Sequence, residues 1–89
     1  MPKRRIIYRP EFDEDAKRLG GIAAVQRVID PVIESLENDP YSFGLLDVVT
    51  GLRYAATKAV GAMQPLIVVF SIDADGDVMM EAVDIRRPR

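Results

Sequence analysis

Hydrophobic and polar positions are most clearly ordered in the second half of the chain, where they predict two strands joined by a turn. LIVVFSI (66–72) is a continuous β-branched and aromatic run, which reads as a central strand buried on both faces. Asp73-Ala74-Asp75-Gly76-Asp77 follows as a turn, with Gly76 supplying a positive φ. Residues 78–86 then return as the partner strand. Upstream, RRIIYR (4–9) is short and β-prone, and Pro10 is expected to end it because proline donates nothing to a ladder. Residues 11–19 place Phe12, Ala16 and Leu19 on one helical stripe, with acids first and Lys17–Arg18 last to complement the helix dipole. Gly20–Gly21 stop that helix.

The longest helical pattern covers 22–37. Ile22, Val25, Ile29, Val32 or Ile33, and Leu36 hold one apolar face across Pro31, so a single kinked helix is expected there. Residues 41–50 read as a loop packed on the core, with a short strand near Asp47–Thr50 as an option. After Gly51, LRYAATK (52–58) sets Leu52, Tyr54 and Ala56 against Arg53, Ala55 and Thr57, a half-buried strand. Its alternation predicts Tyr54 inward and Arg53 outward. Residues 59–65 form a loop. The order β-α-α-β-β-β predicts an α+β domain, an antiparallel sheet with two helices packed on one face.

Eighty-nine residues fit one domain, 1–89, with a thin core. The chain has no cysteine and no histidine, which removes thiol chemistry, disulfides and the commonest acid/base and metal ligand. No apolar run reaches the roughly 18 residues of a membrane span, and no signal-peptide core opens the chain. A cytoplasmic protein is expected. Charge is strongly segregated under the net −2. Lys3, Arg4, Arg5 and Arg9 crowd one end and Arg86, Arg87 and Arg89 the other, while all 14 acids lie between. Two readings stand: a basic rim that meets an anion, or two solvated tails.

The whole pattern resembles the RelE/ParE superfamily of toxins from bacterial toxin–antitoxin pairs. YRPEFDEDAKRL resembles that family's opening strand and first helix, and VIESLENDPYS its second helix. GLRYAA resembles the arginine-bearing strand that follows a glycine, and PLIVVFSIDADGDVMMEAVDIRR the closing hairpin. The resemblance implies messenger RNA cleavage on the ribosome first; the alternative is a non-catalytic member that binds and inhibits DNA gyrase, or a non-toxic relative. It also implies a cognate antitoxin protein as partner, and neither a cofactor nor a metal.

Cleavage of RNA needs a base, an acid, and cations around the pentacoordinate phosphate. By motif, Arg53 matches the family's strand arginine and Arg86 or Arg87 the terminal one; alternation allows only one of that pair to join. Lys58 stands beside Arg53 as a further phosphate ligand, against the competing reading of surface ion pairs. The chain departs from the pattern at Gln64-Pro65-Leu66, in its acidic pI ≈ 5.0 and in its Arg86-Arg87-Pro88-Arg89 ending. Those departures leave the general acid and one phosphate ligand unmatched. Glu81 interrupts an apolar strand, and pairing with Arg53 or Arg5 is expected. Met79 and Met80 show a methionine on each face, for a partner or for the core. Asp73, Asp75 and Asp77 have calcium-loop spacing, but Val78 stands where that loop needs glycine and the flanks are strands, so they are expected to be a turn.

Overall fold

In the computed structural model, which describes residues 3–61 and 63–86, strand β1 (Ile6–Tyr8) leads through helices α1 (Pro10–Arg18) and α2 (Ile22–Asn38) into four further strands. These are β2 (Leu45–Asp47), β3 (Leu52–Ala56), β4 (Leu66–Ile72) and β5 (Val78–Ile85), in the sheet order β1-β5-β4-β3-β2. The optional short strand is real, shifted to Leu45–Asp47. The sheet departs from the all-antiparallel expectation at one pair: β1 runs parallel to β5. The last four strands are a meander that reverses at every turn, whereas β1 joins the opposite edge after a helical crossover. Arg9 N–H to Met80 O (3.0 Å) and Val78 N–H to Arg5 O (2.9 Å) fix its register.

Pro10 does more than end a strand. It opens α1 at the first helical position, where its missing N–H costs nothing, and Arg9 O accepts from Phe12 and Asp13 instead. Glu11 and Asp13 occupy the first turn and Lys17 and Arg18 the last, as the dipole favours. α2 runs unbroken through Pro31. No helix among the described residues is long and apolar enough to cross a membrane.

One core forms between the helices and one sheet face. Phe12 and Ala16 of α1 and Val25, Ile29 and Leu36 of α2 meet Val68, Phe70 and Met80 of the sheet, all buried. A bulge sets which residues of β5 reach it. Val69 pairs with Ala82 but Phe70 pairs with Met80, so Glu81 is the extra residue. Strict alternation from Val78 and Met80 would turn Asp84 into the core. The inserted residue shifts the phase, and Val83 points in while Asp84 is exposed.

β3 faces the other way from the expectation. Ala55 and Thr57 are buried with Arg53 on their side, while Tyr54 is 39% exposed on the uncovered face. The registers Ala55↔Val68 and Arg53↔Phe70 lock this facing, because Val68 and Phe70 belong to the larger core. Thr57 is tolerated inside because its Oγ1 accepts the Leu66 N–H at 2.8 Å. Thr57→Val is expected to leave that donor unpaired and cost about 1.5 kcal/mol, read as a lower urea midpoint at unchanged slope.

Candidate functional site

The expected cations do not converge. Arg53 lies at the start of β3, on the helix-covered side, opposite Phe70. Its Nη1 donates to Phe43 O at 2.7 Å and to Tyr41 O at 3.4 Å. Lys58 follows the other end of β3, and Arg86 lies at that same end, its N–H bonded to Pro65 O. From Phe70 to Pro65 along β4 is on the order of 15 Å at about 3.3 Å per residue. Lys58 and Arg86 therefore share an end of the sheet, and Arg53 is held at the other. Arg87 lies outside the described residues.

Arg53 has company that the sequence did not announce. Its guanidinium lies 5.5 Å from the Tyr41 ring centroid, and that of Arg4 lies 5.2 Å from the same ring. Arg4 Nη1 also donates to Gly76 O at 3.0 Å. Gly76 has φ 86°, which favours glycine, and an added Cβ would stand 2.6 Å from that guanidinium nitrogen, so the Arg4 side chain would have to move aside. Arg4 and Arg53 thus staple the 73–77 turn and the Pro40–Ser42 turn of 3-10 helix to the strands. Nothing in the local sequence joins Arg4 or Tyr41 to Arg53. Their meeting depends on α2 delivering residue 41 beneath the sheet's end.

The uncovered sheet face has an apolar centre with polar members. By register, Ile7, Ile67, Val69, Met79 and Ala82 share it with Tyr54, Ser71 and Asp84. Met80 takes the core-filling role, and Met79 is half-buried on the other face. Glu81 is paired, but with neither expected partner: its carboxylate accepts from Ser71 Oγ at 2.6 Å and meets Arg9 Nε at 3.3 Å. The bulge turns it toward β4 and β1, beyond the reach of Arg53, while Arg5 is bound to Asp77 at 2.6 Å. That ion pair, with Asp73 and Asp75 nearby, pushes the Arg5 pKa further up. Asp73 Oδ1 accepts the N–H groups of Asp75 and Asp77, both at 2.9 Å. The three carboxylates are close enough to hold an ion; of them, Asp73 closes the turn and Asp77 pairs with Arg5.

Tyr8 has a displaced pKa. Burial beside Phe12, at a ring separation of 5.3 Å, pushes it up, with smaller effects from Asp30, Asp13 and Glu37. A hydrogen bond with Gln26 opposes the shift. The folded state holds this proton more tightly than the unfolded one, so stability falls as pH rises past about 10. Tyr8→Phe is expected to flatten that fall, seen as urea midpoints that change less between neutral and alkaline buffer.

No protein-family model matches the chain, and no curated protein is similar to it. Among solved structures, a chain of the RelBE2 toxin–antitoxin complex from Mycobacterium tuberculosis superposes with a TM-score of 0.60. The match covers 97% of this chain and 100% of that one, at 18% identity. At that identity the likeness establishes the fold, and the fold is the RelE-like one that the sequence motifs resemble.

Proposed function

We propose that this chain is the toxin of a toxin–antitoxin pair, that it acts in the cytoplasm, and that it works by binding a protein. DNA gyrase is the candidate target, and a cognate antitoxin is the partner that neutralises it. One observation carries the preference for binding over catalysis: Arg53 is committed to two backbone carbonyls, an arm's length from Lys58 and Arg86. A phosphate in transit needs cations that meet at one point. The uncovered sheet face supports the same reading, because its apolar centre offers a partner contact area while Asp84, an acid, does not favour an RNA.

Co-expression with the product of the neighbouring reading frame tests the pairing. The two chains are expected to purify together, and growth arrest by this chain alone is expected to be relieved. Failure to co-purify removes the antitoxin from the account. A supercoiling assay with the purified chain tests the target, and uninhibited gyrase counts against it.

Ribosome-dependent cleavage of messenger RNA is the second reading. It is favoured by Lys58 and Arg86 lying at one end of the sheet, and in it they, with Arg87, serve as phosphate ligands. Arg53 then acts only by holding the 41–43 segment in place.

A further inference from the structure

Two features lie on one edge of the sheet, and neither the core nor the cation arrangement accounts for them. The first is the tip of the β2–β3 hairpin. Leu46 is 53% exposed, Val48 82% and Val49 93%. Asp47 sits among them, with Oδ1 accepting the Val49 N–H at 2.9 Å. Turn tips ordinarily carry polar residues, and adjacent exposed apolar side chains mark a contact surface.

The second feature is a groove at the far end of the same edge. Two cavities of about 590 and 470 Å³ share Val28 and Val60 and run together between α2 and residues 56–61. Their lining is mostly apolar; its charged members are Arg27 and Lys58, and no acid lines either cavity. The strand beside the groove is bare. Tyr54 N–H reaches Gly44 O at 3.1 Å, but β2 extends no further, and alternation turns the Ala56 N–H toward the uncovered edge.

We propose that a second copy of this chain occupies the groove, each hairpin tip seated in the other copy's cleft around a two-fold axis. The tip is apolar with an acid, and the groove is apolar with two cations and no acid, so chemistry and charge match. The placement matches as well. Tip and groove flank β3, and from Gly51 to Lys58 is on the order of 20 Å. Two such edges set antiparallel bring both tips onto both grooves at once, which closes the assembly at two copies. A foreign peptide in the groove would leave Val48 and Val49 bare; the second copy covers both features.

Sedimentation equilibrium of the purified chain over a concentration series tests this, and a dimer is expected. Val49→Lys and Lys58→Glu, each with an unchanged far-ultraviolet circular dichroism spectrum, are each expected to weaken the dimer tenfold or more. An equimolar mixture of the two variants is expected to recover it. In that mixture one interface sets the Val49→Lys tip against the Lys58→Glu groove, and the other is native. A chain that stays monomeric throughout, or variants that fail to recover on mixing, would overturn the proposal. Because no antitoxin or target is added, the result does not depend on the function proposed above.

Discussion

Phe70→Ala is expected to lower the unfolding free energy by about 4 kcal/mol, in the range measured for large aromatic truncations in packed cores. Phe70 has no exposure, lies centrally on β4 between Arg53 and Met80, and meets Phe43 edge-on at 5.8 Å and 90°. Its removal takes away the contact between the sheet and the segment that carries Tyr41 and Phe43, as well as core volume. Neighbours cannot easily close the gap, because the registers on both sides hold the strands apart at a fixed spacing. A domain of this size has a stability of about 5–10 kcal/mol, so the variant should populate the unfolded state measurably at growth temperature. Urea denaturation followed by circular dichroism reads the loss. A change under about 1 kcal/mol would mean that the core described between β4 and the 41–43 segment is wrong.

Arg53→Ala is expected to cost about 2–3 kcal/mol, and Arg53→Lys less. Two carbonyls lose a charged donor, and Tyr41 loses one of its two guanidinium neighbours. Both bonds come from Nη1, so an ammonium can keep a donor near the carbonyls, but it loses the planar guanidinium that lies near the Tyr41 ring. The same variants separate structure from catalysis. If Arg53 is a staple, growth arrest should weaken only in proportion to lost folded protein. If activity vanishes in a variant whose unfolding curve is unchanged, Arg53 contacts the target or substrate.

The strand pair around Asp73–Asp77 and both helices were legible from the sequence, because β-branched runs, a glycine turn and a 3.6-residue stripe are local signals. α2 was legible even across Pro31, since its apolar face keeps phase. What the sequence concealed was set by non-local choices. LRYAATK alternates, but alternation does not say which side is inward. Leu52 and Tyr54 looked like the buried set, and pairing with Val68 and Phe70 decided for Ala55 and Thr57. The bulge at Glu81 leaves no mark in VMMEAVDI beyond the awkward position of Asp84. It is that phase shift which aims Glu81 at Ser71 and Arg9. The site was legible only as a set of residue types. Arg53, Lys58 and Arg86 are all there, but their separation follows from strand register and from the two carbonyls that bind Arg53.

Mapping of messenger RNA 5′ ends by primer extension, in cells induced to express this chain, tests the central claim most directly. Action by protein binding predicts arrest with no new ends inside coding regions. New coding-region ends on induction that disappear in Arg86→Ala would contradict it and make the chain a nuclease.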